Sequence, residues 1–459
     1  MDANENPGEV RLPFFKRFSV IFKMAGVLSL VLVLLIPLAM IKSLINERMF
    51  RRNAAVAEIT ATWGNQETVV GPVLVVPYEY KTKKWKDQMV RNNLKKVEVE
   101  ETALANAYLL PAQLEITGDV SPENLHRGIY EAVVYKGRLD LSGSFAPSDL
   151  SVLGIAAEAF RWSDARISLA VTDLRGSGEI LKIKTGDTTG AFAPGCLLPG
   201  YSSGIHAGLP GIKSAPTNLA FQMTLDLKGS QGLRFAPLGR QNLVKLGSAW
   251  PDPSFCGAFL PVERAVDARG FNATWQVSWY GRSYPQASTD RGGEYAFKPE
   301  AISPSLFGVE FLAPVDSYRM VERASKYGVL FIALIFTAFF LFEILSGLRL
   351  HAFQYALVGA ALCLFYLALL SLSEFIRFVY AYWAGVAASS ALIVLYCLKA
   401  LRGGMRTAVI AAMLLSVFTY LYVVLQMQEY SLLFGSAGLF LILGMVMFVT
   451  RNVDWYSRE

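Results

Sequence analysis

The chain has 459 residues, of which 53% are hydrophobic and 17% charged, with a formal net charge of +6 and only three histidines. That average joins long apolar runs at the two ends to an ordinary soluble middle. The few histidines exclude a His-rich zinc site, and the dispersed cations, without a phosphate-gripping Gly-rich loop or a DNA-reading module, exclude a nucleic-acid partner.

In chain order, a basic flank of Arg11, Lys16, Arg17 and Lys23 precedes the apolar run Met24 to Ile41. A bilayer is crossed by roughly 20 predominantly apolar residues in a helix, and basic flanks stay in the cytoplasm. Residues 1–23 are therefore read as a cytoplasmic N-terminus and 24–43 as the first transmembrane helix. The run is longer than a signal-peptide core, and the A-x-A triplet Ala55-Val56-Ala57 lies beyond three arginines, so the anchor is read as uncleaved.

Residues 44–327 form the soluble insert, opening with a helical stalk from Lys42 to Thr62. From Val69 the pattern turns to short β-type stretches, VVGPVLVVPYEY, EAVVYKGRLDLSGSF, ARISLAVTDLRG, FQMTLDLKGS, FNATWQVSWYG and LFGVEFLAP. Alternation in Arg138 to Ser142 and Phe221 to Leu227 predicts antiparallel strands with one wet face, in a sandwich or an extended twisted sheet. A short helix is expected over Asp149 to Phe160, and the Gly-, Pro- and Ser-rich stretch Phe192 to Gly211 reads as a long loop. Cys196 and Cys256 both fall in the insert, where an oxidising compartment permits a disulfide; free thiols are the equal alternative. Gly200-Tyr201-Ser202-Ser203-Gly204 matches the G-x-S-x-G nucleophile elbow, but Pro199 before it and a Gly-rich loop after it deny the strand-turn-helix setting. A triad of Ser202 with His126 or His206 is the hydrolase reading, and a chance match is the better one.

Five further apolar runs follow, Val329 to Ser346, Ala352 to Leu372, Phe375 to Leu398, Thr407 to Leu425 and Ser431 to Val449. They place transmembrane helices 2–6 in residues 328–450 and a cytoplasmic tail at 451–459. The most basic short turn, KALRGGMR, falls inside, whereas the turns holding Glu374 and Glu429 fall outside. Arg48, Arg51 and Arg52 after the first run, and Arg319, Arg323 and Lys326 before the second, resist this orientation, but cations bordering a large translocated domain count for less. The ionisable candidates are Glu343, expected to reach the interface or pair with Arg349, and Glu374 with Arg377, spaced as an ordinary helix-surface pair. With no charge between the two groups, a relay through the midplane has little support. Ala381, Gly385 and Ser389, and Ser431 with Gly435, form small-residue stripes for close helix packing. Trp383, Tyr380, Tyr382, Tyr420, Tyr422 and Tyr430 read as an outer aromatic belt, with Trp455 and Tyr456 at the inner end.

GPVLVVPYEY after the stalk, WPDPSFCGAFLP at Trp250 to Pro261, ERASKYGVLFIALIFTAFFLFE at Glu322 to Glu343 and the terminal MFVTRNVDWYS resemble the bacterial inner-membrane CreD family. The resemblance spans nearly the whole chain. It implies a Gram-negative cytoplasmic membrane protein linked to envelope integrity and to a two-component stress regulon, and it brings no catalytic residues and no cofactor. The expected fold is an α+β membrane protein with one N-terminal transmembrane helix, a large β-rich periplasmic domain and a C-terminal five-helix bundle. The leading function is a non-enzymatic protein whose periplasmic domain binds or senses an envelope protein, lipid or peptidoglycan ligand, the bilayer being its other partner. A transporter or flippase and a membrane-bound envelope hydrolase are the alternatives.

Overall fold

The structure is a computed structural model that describes residues 19–90, 93–174, 180–291, 295–311, 317–346, 350–400, 403–427 and 430–451. It divides into two compact units, Ala54–Pro314 and Met1–Asn53 with Val315–Glu459.

The first unit is built on strands β1 (Glu67–Val90), β2 (Asn93–Leu109), β3 (Gln113–Arg127), β4 (Tyr130–Phe145), β5 (Arg166–Val171), β6 (Lys182–Thr185), β7 (Thr188–Ala191) and β8 (Ala193–Pro194). It continues with β9 (Gly204–Gly208), β10 (Leu219–Ser230), β11 (Gly232–Phe235), β12 (Gln241–Ser248), β13 (Pro253–Gly257), β14 (Glu263–Asp267), β15 (Gly270–Ser278), β16 (Ala287–Thr289) and β17 (Phe307–Phe311). A nine-stranded sheet runs β13-β17-β11-β1-β5-β9-β8, with β2 on β1 and β16 on β2; an eight-stranded sheet runs β14-β15-β12-β3-β4-β10-β6-β7. Pairing is antiparallel except for β1 with β11 and β12 with β3.

The two sheets share one core. Trp275 on β15 lies 6.0 Å from Phe307 on β17, and Tyr135 on β4 lies 5.1 Å from Phe311. These large rings dominate the apolar area removed from water, which stabilises by about 25 cal/mol per Å². The burial pattern follows position in the layers. On β4, Leu139 and Leu141 are buried while Arg138 and Asp140 face solvent, the alternation of a sheet with one wet face. Over residues 69–76 of β1 neither face is wet: Val69, Val70, Val73, Leu74, Val75 and Val76 are all buried. Val70, Val73 and Val75 pack under a second cluster that includes Leu198, Tyr284, Tyr295, Phe297 and Ile302. A strand covered on both faces needs an unbroken apolar run, and VVGPVLVV supplies it.

Two local expectations are corrected, and the choice left open for Cys196 and Cys256 falls to free thiols. Asp149 to Phe160 is not one helix; the segment forms 3₁₀ turns at Pro147–Leu153 and Ala157–Ala159, broken by Gly154 in the left-handed conformation at φ 63°. Phe192 to Gly211 is not a long loop, because β8 and β9 lie within it. Ile205 and Ala207 on β9 are buried against β5, and glycines at both ends of the strand hid this alternation. The bridge between Cys196 and Cys256 is not made, and both are free thiols. Cys196 sits against Ser168 of β5, and Cys256 is on β13, with β17, β11 and β1 between those strands. At about 4.8 Å per strand spacing the gap far exceeds the roughly 7 Å that a disulfide spans between Cα atoms.

A helix from Ser19 to Trp63 carries the anchor and the stalk without interruption. Pro37 lies inside it, as membrane helices tolerate. Among the described residues four helices are long and apolar enough to cross a membrane, Ala25–Trp63, Ala352–Ser373, Phe378–Lys399 and Gly404–Gln426. Ser317–Lys326 and Gly328–Glu343, bent by 47°, make a fifth if they count as one span. Ser431–Thr450 is a further apolar helix.

Within the second unit the stripe Ala381, Gly385 and Ser389 is buried, and a Cβ on Gly385 would stand 3.3 Å from the ring of Phe365 on Ala352–Ser373. Tyr382 departs from the belt reading. It is fully buried, rings of Phe365 and Tyr422 lie 5.5 and 5.3 Å away, and its hydroxyl donates to the Phe418 carbonyl at 2.6 Å. Tyr380 and Tyr430 are exposed, as a belt requires. Trp455 and Tyr456 lie outside the described residues.

Candidate functional site

Glu343 ends its helix at 4% exposure. Its Oε1 accepts from the Leu350 backbone N–H at 2.8 Å and its Oε2 from the Tyr355 hydroxyl at 2.8 Å. The carboxylate thus ties the end of Gly328–Ser346 to Leu350, just before the N-cap His351, and to Tyr355 in the first turn of Ala352–Ser373. Its expected partner Arg349 lies outside the described residues.

Glu374 caps the far end of Ala352–Ser373. Its side chain is 9% exposed and pairs with Arg48 Nε at 3.7 Å, while Tyr318 Oη donates to it at 3.1 Å. One carboxylate therefore joins the first helix, the short helix Ser317–Lys326 and the end of Ala352–Ser373. This corrects the pairing with Arg377, an exposed residue three positions on. Arg48 and Tyr318 are the members of this cluster that spacing could not find, because both come from distant segments. The hint was Arg48 itself, a cation on the side where the orientation rule least wants one.

The hydrolase reading loses its geometry. Ser202 lies in irregular chain just before β9, so no helix follows it. His206 is on β9 with its Nδ1 2.8 Å from the Gly195 carbonyl, to which it must donate, and His126 is on β3 of the other sheet. Among the described residues no group of three or more His, Cys, Asp or Glu side chains could hold a metal ion.

The polar cluster over the nine-stranded sheet is structural. Asp290 accepts from the Asn106 backbone at 2.8 Å, from Asn106 Nδ2 at 2.9 Å and from Tyr108 Oη at 3.1 Å. Burial, reinforced by the Asp290 charge, raises the Tyr108 phenol far above its ordinary value and keeps it a neutral donor. Burial likewise raises the Cys196 thiol, with partial relief from the Leu198 N–H and Ser168 Oγ.

The comparisons with known proteins agree over almost the full length. A family model described as inner membrane protein CreD matches residues 19–456. Inner membrane protein CreD of Escherichia coli (strain K12) is 33% identical over 440 residues, covering 95% of this chain and 94% of that protein. Among solved structures, two of an M1 zinc metallopeptidase from Deinococcus radiodurans align with 48% of this chain and 53% of theirs, at 9% identity and a TM-score of 0.23. The chain spans about half the length of that enzyme, and at such a score the likeness carries no argument.

Proposed function

The chain belongs to the CreD family of inner membrane proteins, and from that premise we propose that it is a non-enzymatic, six-span envelope protein whose β unit binds or senses an envelope component. In this reading the β unit is periplasmic, both termini are cytoplasmic, and the protein serves envelope integrity and the response to envelope stress. The observation that carries it is the separate β unit Ala54–Pro314, interposed between one apolar helix and the rest. A body of that size needs a task that a bare anchor does not. The contacts of Arg48 and Tyr318 with Glu374 bring these three residues to one end of the apolar helices, as this topology requires. Glu343 and Glu374 are engaged in holding helices and turns, which favours an anchoring bundle over a transporter. Ser202 lies in irregular chain, and His206 is turned to the Gly195 carbonyl, which favours binding over hydrolysis.

Photo-crosslinking in living cells tests the reading. A crosslinking amino acid is placed at exposed positions of the β unit, such as Arg138 and Val152, in protein confirmed to insert. A reproducible adduct with one envelope component is expected. Absence of adducts from every position would sink the proposal.

A further inference from the structure

The solvent face of the eight-stranded sheet is not uniform. At one end, a groove of about 840 Å³ crosses β10, β4, β3, β12 and β15, within the roughly 300–1,000 Å³ typical of small-molecule sites. Its outward side chains include Gln113, Ser142, Ser144, Gln241, Gln276 and Ser278. Glu115 is the only formally charged residue in the lining, and Lys245 donates to it at 3.1 Å. Further along the same strands the outward positions become ionic: Asp119 stands opposite Arg138, Arg138 opposite Asp226, and Lys136 opposite Lys228. A sheet face kept wet merely for solubility would carry such charges throughout. Here, the Glu115–Lys245 pair apart, they gather toward one end, and the concave end is furnished with amides and hydroxyls.

Those groups have a specific competence. Each primary amide offers a carbonyl acceptor and N–H donors in one plane, and each hydroxyl both donates and accepts. That set matches adjacent sugar hydroxyls, which also donate and accept and carry no charge. At the edge of the groove Ser278 runs directly into Trp279 and Tyr280, whose rings lie 5.6 Å apart. Trp279 is held by the Arg240 guanidinium over its ring at 5.0 Å, itself paired with Asp149 at 2.7 Å, whereas Tyr280 is 86% exposed. An exposed ring beside a neutral polar groove offers an apolar platform for the C–H face of a pyranose.

We propose that this groove binds an uncharged stretch of glycan, with Gln241 and Gln276 hydrogen-bonding sugar hydroxyls and Tyr280 stacking on a ring. This rests on the reading of the β unit as a binding domain and names the class of its ligand. The test uses the full chain in nanodiscs, free of sugar-headed detergent, with cellohexaose and chitohexaose as probes and a heparin-derived oligosaccharide as the anionic control. At least one neutral hexamer binds, Gln241→Ala and Gln276→Ala each weaken it by about tenfold, the scale of one hydrogen-bonding pair, and Arg138→Ala at the ionic end leaves it unchanged. Tyr280→Ala, which removes an exposed side chain and leaves the fold intact, also weakens it. The assignment is overturned by failure of both neutral probes to bind, by tighter binding of the anionic one, or by groove variants that bind as the parent does. If the probes fail while crosslinking from the β unit still traps an envelope protein, the glycan assignment falls and the wider reading stands; if crosslinking also fails, both fall.

Discussion

Single side chains decide where the polar groups of this protein go. Tyr355 donates to Glu343 between two helices, and a hydrogen bond to such a group is worth about 1–3 kcal/mol. Tyr355→Phe is expected to lower the thermal midpoint of the detergent-solubilised protein by an amount in keeping with that loss; an unchanged midpoint would remove Glu343 from the helix-turn role. In the β unit, the buried Asn242 amide accepts from Gly239 N–H at 2.7 Å and donates to the carbonyls of Gly239 and Val277, each at 2.8 Å. Asn242→Ala strands those groups and should cost about 1–3 kcal/mol or more in chemical denaturation. The thiols give a pH prediction. Burial raises Cys196 and Cys256, so fewer of them are thiolate at a given pH than in an unfolded chain. Alkylation by iodoacetamide should therefore be slower in the folded protein at pH 8, accelerating only above the ordinary thiol range of about 8.5. Denatured without reductant, the protein should titrate with all four thiols; two missing thiols would restore the bridge.

Elements were legible in proportion to how local their cause is. The anchor and stalk are one helix because helical spacing continues past the apolar run, and β4 and β10 appear where alternation was plain. β2 and β3 were not legible, since the charges of β2 and the Gly118, Asp119, Pro122 and Asn124 of β3 mimic loop composition. β9 was hidden by its flanking glycines. Helix packing was signalled by small residues. At Gly359, a site that sequence did not single out, an added Cβ would run into Leu34 of the first helix and Phe336 of Gly328–Ser346. Gly359→Leu should overpack this crossing and lower the yield and thermal midpoint of inserted protein, whereas Gly26→Leu, with open space around it, should not. Equal behaviour of the two variants would contradict the close crossing.

At the scale of the molecule, the two-unit division predicts that Ala54–Pro314, expressed without the remaining helices, gives a β-type circular dichroism spectrum and a cooperative melt. A chain that stays unfolded would mean that the division is not one of stability. Cysteines placed at Arg138 and Lys228, in intact cells, should be labelled by membrane-impermeant reagents from outside; labelling only after lysis would reverse the orientation. Hydropathy by itself determined the apolar helices and the inserted body between them, because the cost of burying or exposing a side chain is set residue by residue and adds along a segment. The sequence alone could not decide which strands share a sheet, that the start of β1 is covered on both faces, that Glu374 meets Arg48 rather than Arg377, or that amides and hydroxyls from β3, β4, β12 and β15 meet in one groove. Each of those is a pairing between segments far apart in the chain, and the selectivity of such pairings comes from packing and hydrogen-bond geometry that exist only once the chain has folded.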